Sequence, residues 1–293
     1  MSSVSARSRT LRTVCTAAEV RAAVRGWHAR GENVAFVPTM GNLHDGHVSL
    51  AALAAQLCNR VVASIFVNPT QFGPSEDFAA YPRTLAEDTA KLVAADAVDL
   101  LFVPDEREIY PYGLEQAVRV ALPPLARELC GASRPGHFDG VASVVCRLLN
   151  IVTPDVLVLG QKDYQQVILI ERMIRDLQLP VGVRVGATRR EPDGLAMSSR
   201  NRYLDAAQRR QAPELHAALT RLRAAVRAGR RDYVALETEA AEELRRAGFR
   251  PDYVEVRRAA DLAKPSPGDE AEDLVVLGAG WLGRARLIDN LRV

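Results

Sequence analysis

The sequence predicts a doubly wound α/β fold, a parallel sheet with helices on both faces, followed by a smaller C-terminal α+β domain. Three observations lead there. Through the first two-thirds of the chain, short apolar runs of strand length alternate with segments of helical periodicity, the βαβ signature of right-handed parallel crossovers. The residues just past several of those runs are conspicuously polar. Beyond residue 186 the texture shifts to helices rich in Ala, Arg and Glu and then to strands, which sets expected domains at 1–186 and 187–293.

The run 33–37, closed by Pro38, reads as a buried strand. From His47 onward Val48, Leu50, Leu53, Ala54 and Leu57 recur at three- and four-residue intervals and so share one helical face. A second strand is expected at 61–67, a helix at 84–95 after Pro82, and a third strand at 98–103. An irregular stretch from 104 to 140 carries a possible short strand at 117–121. A helix at 141–152, a strand at 155–159, a helix at 164–177 and a strand at 181–185 complete the first domain. In the second, helices are expected at 205–228 and 233–247, and strands at 253–256, 274–277 and 285–288.

Composition narrows the classes of function. With 48% hydrophobic and 25% charged residues in 293, the chain suits a globular protein with a sizeable core, and no apolar run approaches the roughly 18 residues that span a bilayer. A net charge of +2 gives no field that argues for nucleic acid. Cys15, Cys58, Cys130 and Cys146 are scattered without a metal-ligand spacing, which suits reduced thiols packed in the core of a cytoplasmic protein. The first ten residues are polar and basic without an apolar signal core. Lysine occurs at only Lys91, Lys162 and Lys264 in an arginine-rich chain, so each is worth inspecting; two of them read as surface positions.

In an open parallel sheet, ligands bind beyond the carboxyl ends of the strands. Three loops are placed there: 38–47 after the first strand, 68–73 after the second and 160–163 after a later one. His44 and His47, three apart with Gly46 between them, sit at the mouth of a helix whose N–H groups and dipole favour anions, and two imidazoles there can donate to phosphate oxygens. A chance pairing or a zinc site is the competing reading, although no third ligand lies in that segment. Gly41 and Gly46 permit close approach of backbone to a nucleotide. Lys162 offers a compact charge for phosphate, and Asp163 a cap for the next helix. The segment 194–201 brings Ser198, Ser199 and Arg200 into a turn that either closes over a triphosphate or caps a helix. Gln71 and Gln166 are amides suited to a hydroxy acid. Glu87 and Asp88 are candidates to hold Mg²⁺ through water.

Together, Pro-Thr-Met-Gly-Asn-Leu-His-Asp-Gly-His (38–47), Ser-Ile-Phe-Val-Asn-Pro-Thr-Gln-Phe (64–72), Tyr-Pro-Arg-Thr (81–84), Gly-Gln-Lys-Asp-Tyr-Gln-Gln (160–166) and Asp-Gly-Leu-Ala-Met-Ser-Ser-Arg-Asn (193–201) closely resemble the pantothenate synthetase family over roughly residues 11–291. The resemblance implies a Rossmann-like nucleotidyltransferase fold with a C-terminal lid domain. It further implies ATP- and Mg²⁺-dependent condensation of (R)-pantoate with β-alanine through a pantoyl-adenylate, and a homodimer. It carries His47, His44, Lys162 and Arg200 over as catalytic. Pro38, Met40, Gly41, Gly46, Gly160, Asp163, Arg189, Met197, Ser198 and Ser199 join them around ATP, and Gln71, Gln166, Asn68 and Met40 surround pantoate and β-alanine. Gln161 and Asp45 stand where the family commonly has Glu, Asn42 where Ala is usual, and Arg189 where Val is usual. A nucleotidyltransferase acting on a phosphorylated pantetheine, a nucleotide sensor and a zinc hydrolase are the alternatives.

Overall fold

In the computed structural model, which describes residues 9–73, 76 and 78–293, the chain forms two compact units. The first comprises the chain up to Arg127, Arg134–Gly160 and Leu169–Gly186. The second comprises Glu128–Ser133, Gln161–Ile168 and Ala187–Val293. The segments 128–133 and 161–168, which the sequence places with the first domain, therefore fold with the second.

The first unit is built on a six-stranded parallel sheet. In chain order its strands are β1 (Arg12–Val14), β2 (Val34–Thr39), β3 (Arg60–Ile65), β4 (Leu100–Phe102), β5 (Val156–Gly160) and β6 (Gly182–Gly186); in space they run β1-β4-β3-β2-β5-β6. Val34 to Val37 are buried almost completely, as a strand covered on both faces requires. The chain builds outward from β2 through β3 to β4, then returns to add β5 and β6 on the other side. The order therefore reverses between β2 and β5, the place where such sheets bind ligands.

The helices of this unit include α1 (Ala17–His28), α2 (Asp45–Leu57), α3 (Leu85–Ala95), α4 (Glu106–Ile109) and, further along the chain, α6 (His137–Val152). Leu50 of α2 lies over the ends of β5 and β6, where the residues are Gly160 and Gly186. A Cβ on Gly186 would come within 2.3 Å of Leu50 Cδ2, so the glycine is what lets α2 lie down there.

Several sequence expectations are corrected. Elements β1 and α1 escape the sequence reading: the strand is three residues long with only Val14 buried, and the helix is polar enough to hide its face, although Thr16 and Glu19 form a full capping box. No strand forms at 117–121. Amides in and just after it find α6 side chains instead, Val120 N–H donating to Ser143 Oγ at 2.9 Å and the following Leu122 N–H to Asp139 Oδ1 at 2.9 Å. Helix α6 begins at His137, four residues before the expected start, with Gly136 at φ +78° turning the chain into it.

The second unit carries an antiparallel sheet ordered β7 (Arg250–Arg258), β8 (Leu274–Leu282), β9 (Ala285–Arg292). Helices α9 (Glu214–Arg227) and α10 (Tyr233–Arg246) pack on it over Leu219, Leu222, Leu244, Val256 and Val276. The helix expected at 205–228 is two, because Pro213 separates α8 (Ala206–Gln211), capped by Asp205, from α9. Short α5 (Cys130–Ser133) is tied in by Gln165 at the start of α7 (Tyr164–Asp176). Its amide oxygen accepts the Cys130 N–H at 3.0 Å and its nitrogen donates to the Glu128 carbonyl at 2.8 Å.

The cysteines are all free thiols. Cys58 and Cys130 are buried, and burial pushes the Cys58 thiol up to about 11, whereas Cys15 is exposed rather than packed in the core. Among the described residues no helix is long and apolar enough to cross a membrane.

Candidate active site

In the first unit the chain leaves β2 at Thr39 and turns sharply, with Gly41 at φ +80° and Asn42 at φ +51°, a region that Asn tolerates better than most residues. The turn is held from α3. Asp88, fully buried, accepts the Asn42 N–H at 2.8 Å, the Leu43 N–H at 2.7 Å and the Thr84 hydroxyl at 3.1 Å, and Lys91 donates to the Leu43 carbonyl. The sequence suggests Asp88 and exposed Glu87 as a magnesium pair. The Asp88 oxygens are instead committed to two backbone N–H groups and the Thr84 hydroxyl, and among the described residues no group of three or more His, Cys, Asp or Glu is placed to hold a metal.

That anchored turn delivers two histidines to the first turn of α2 in an unusual capping box. His44 is the N-cap. Its Nδ1 accepts the Gly46 N–H at 3.1 Å, and His47 Nδ1 accepts the His44 N–H at 3.3 Å; the ring centroids lie 4.1 Å apart. Because both Nδ1 atoms accept, each neutral ring carries its proton on Nε2. The helix N-terminus therefore presents two N–H donors alongside its own dipole, a combination suited to phosphate oxygens.

Beside this lies the turn Pro69–Gln71 that follows β3. Gln71 Nε2 is 3.0 Å from the Met40 sulfur, a weak acceptor, so the amide retains hydrogen-bonding capacity. Asn68, expected among the substrate contacts, is 1% exposed and already occupied. It accepts from the Tyr110 hydroxyl at 2.6 Å and the Thr70 hydroxyl at 3.0 Å, and donates to Gln71 Oε1 at 3.1 Å and the Gly140 carbonyl at 3.2 Å. What Asn68 supplies is the orientation of Gln71. Two residues that sequence reasoning misses brace the same turn. Arg134 pairs with Glu76 at 2.6 Å, and His137 lies between Arg134 and the Gln71 carbonyl.

The first unit thus gathers Pro38, Met40, Gly41, His44, Gly46, His47, Gln71 and, at the end of β5, Gly160 at the carboxyl ends of neighbouring strands. The second unit gathers another group. Lys162 extends from the turn Gln161–Asp163, its ammonium 3.5 Å from the Asp163 carboxylate. Residues 190–196 form a tight hairpin in which Arg190 bridges Ala196, and the Met197 N–H donates to the Arg189 carbonyl at 3.0 Å. Arg189 is exposed, and what it gives the hairpin is backbone. Ser198 caps the turn Ser199–Tyr203, its oxygen accepting the Arg200 N–H at 3.3 Å, which leaves its hydroxyl proton to donate. Lys162 and Ser198 line one small cleft with Asn201, His216 and Asp289. Gln166 is half-buried near the start of α7.

A parallel sheet that reverses order beside a strand whose next helix is capped by His-x-Gly-His places the first unit in the doubly wound α/β class. A family model described as pantoate-beta-alanine ligase matches residues 12–292, and the chain belongs to that family of ligases. It is 54% identical over 276 residues to the pantothenate synthetase of Alkalilimnicola ehrlichii, covering 94% of this chain and 96% of that one. It is also 54% identical over 283 residues to that of Thioalkalivibrio sulfidiphilus, covering 97% and 98%. Among solved structures, pantothenate synthetase from Thermus thermophilus superposes with a TM-score of 0.87 at 46% identity, covering 96% of this chain and 99% of that one. Pantoate-beta-alanine ligase from Francisella tularensis, solved in complex with beta-gamma ATP and beta-alanine, gives 0.80 at 33% identity, covering 97% and 98%.

Proposed function

We propose that this enzyme condenses (R)-pantoate with β-alanine in two steps at the expense of ATP. The pantoate carboxylate attacks the α-phosphorus of MgATP, forming the acyl-adenylate and releasing pyrophosphate. The β-alanine nitrogen then attacks the acyl carbon, the C–O bond to phosphate breaks, AMP leaves, and the amine gives up a proton. The observation that carries the reading is the histidine box at the mouth of α2, whose Nε2–H groups donate where charge grows on the phosphates. The Francisella relative, complexed with beta-gamma ATP and beta-alanine, supports the nucleotide and the amine of this reading.

No side chain needs to act as a nucleophile, because the substrate carboxylate does; the residues position and neutralise. His44 and His47 serve the triphosphate. The family resemblance assigns Lys162, Ser198, Ser199 and Arg200 as further phosphate ligands, with Pro38, Met40, Gly41, Gly46, Gly160, Asp163, Arg189 and Met197 around the nucleotide. Gln71 meets pantoate and β-alanine, and Gln166 pantoate, with Met40 alongside and Asn68 orienting Gln71. The reading includes a homodimer at work in the cytoplasm, which light scattering and fractionation test.

The deciding experiment uses pantoate labelled with ¹⁸O in its carboxylate. Transfer of one label to AMP establishes the adenylate, whereas unlabelled AMP or release of ADP rejects it. A phosphorylated pantetheine that outcompetes pantoate for pyrophosphate release would move the enzyme to a different acceptor.

A further inference from the structure

We propose that two consecutive residues of β9, Asp289 and Asn290, are positioning residues that hold Lys162 and Ser198 in register for phosphate; this rests on the reading that those two side chains grip ATP. Both are polar and almost wholly buried, 4% and 2% exposed, and burial of such groups is costly unless they are hydrogen-bonded.

The Asn290 amide spends both of its N–H groups on one turn. Nδ2 lies 3.0 Å from the carbonyl of Gln161 and 3.0 Å from that of Lys162, while Oδ1 accepts from Gln161 Nε2 at 3.4 Å. Carbonyls only accept, so the orientation of the amide is fixed, and with it the backbone from which Lys162 extends. Sequence places this support 128 residues from Lys162.

Asp289 does the same for the hairpin. Its carboxylate binds Arg190 in a fork, Oδ2 to Nη1 at 2.6 Å and Oδ1 to Nη2 at 2.9 Å, and Arg190 Nη1 also donates to the Gly194 carbonyl at 3.1 Å. Oδ1 accepts the Asn290 N–H at 2.8 Å, which couples the two residues. His216 Nδ1 stands 3.4 Å from Oδ2, close enough for electrostatic attraction but not aligned as a hydrogen bond, and its ring packs under Gly194, where a Cβ would approach Cδ2 to 2.8 Å. One strand thus braces both the Lys162 turn and the hairpin that leads into Ser198, and Lys162, Ser198 and Asp289 border the same cleft.

The test is a pair of double-mutant cycles with KM and kcat measured separately for ATP, pantoate and β-alanine, each variant checked by thermal unfolding. Asn290→Asp, close in shape but without donors, and Asn290→Ala should lower kcat/KM for ATP about ten- to a hundredfold and leave the KM values for pantoate and β-alanine within about twofold. In the Lys162→Ala background the Asn290 substitutions should add almost nothing, because they act through that residue. Asp289→Asn should behave likewise against Ser198→Ala. Gln161→Ala removes only the outer hydrogen bond of the set and should move ATP kinetics the same way by about two- to fivefold, whether or not the buried variants fold. Fully multiplicative losses, or equal losses for all three substrates, would overturn the proposal while leaving the ATP grip intact. An unimpaired Lys162→Ala would instead sink the grip itself.

Discussion

His137 Nε2 lies 2.8 Å from Arg134 Nη1, and its Nδ1 lies 2.8 Å from the carbonyl oxygen of Gln71. A guanidinium only donates, so Nε2 is the acceptor and the ring proton sits on Nδ1, donating to the carbonyl. His137 is therefore a neutral bracket between Arg134 and the Gln71 turn. Loss of this bracket should loosen Gln71 and raise the KM values for pantoate and β-alanine by about tenfold, with the ATP KM changed much less. Steady-state kinetics of His137→Ala check this, and His137→Asn, whose amide can still donate toward the carbonyl, should recover part of the loss.

The two-histidine capping box separates a structural duty from a chemical one in the same side chain. Asparagine is among the best N-caps, so His44→Asn should keep the bond from the Gly46 N–H and unfold within about 0.5 kcal/mol of the parent. It deletes the Nε2–H donor, however, and the adenylation rate should fall about a hundred- to a thousandfold. His44→Ala loses both and should cost about 1 kcal/mol of stability as well. Two-dimensional ¹⁵N–¹H spectra of the imidazoles would show both rings as Nε2–H tautomers; a proton on either Nδ1 would contradict the box.

How much of this is legible in the sequence depends on whether a residue acts through a local pattern. The run at 33–37, the polar segment after it and His44-x-Gly-His47 are all local, so strand, loop and helix mouth can be read directly. Element β1 hides because three residues show no period, and continuous helical periodicity on both sides conceals the break at Pro213. Arg134, His137, Asp289 and Asn290 carry no motif at all. They act on backbone carbonyls, or on a salt-bridged arginine, belonging to other segments, and only the folded chain reveals the pairing. Asp88 is visible in the sequence as a carboxylate, but its duty to Asn42 and Leu43 depends on a turn 46 residues upstream.

Asp88 and Glu87 give opposite outcomes. Asp88→Asn would keep an oxygen for one of the two backbone N–H donors but turn an NH₂ group toward the other inside the protein, and should cost about 2–4 kcal/mol by urea unfolding together with most of the activity. Glu87 is exposed on α3, so Glu87→Gln should leave both stability and the Mg²⁺ dependence of the rate unchanged. A raised Mg²⁺ requirement in Glu87→Gln would restore the carboxylate to the ion's environment.

Asp289 ties the architecture of the second unit to pH. Burial alone would push its carboxyl up, but His216, the Arg190 fork and the Asn290 N–H outweigh burial and hold it below the usual carboxylate range. A group whose folded value is depressed contributes stability that is fully present above its unfolded value, about 3.9 for Asp, and is lost as pH falls through the folded value. The enzyme should accordingly lose melting temperature progressively as pH drops below about 5. Asp289→Asn should be destabilised at pH 7 by about 3–5 kcal/mol, because Arg190 is left without its counter-charge, and its acid limb should be shallower. Parallel acid limbs for the two proteins, measured by calorimetry from pH 7 to pH 3, would show that the carboxylate is not what the fold loses in acid.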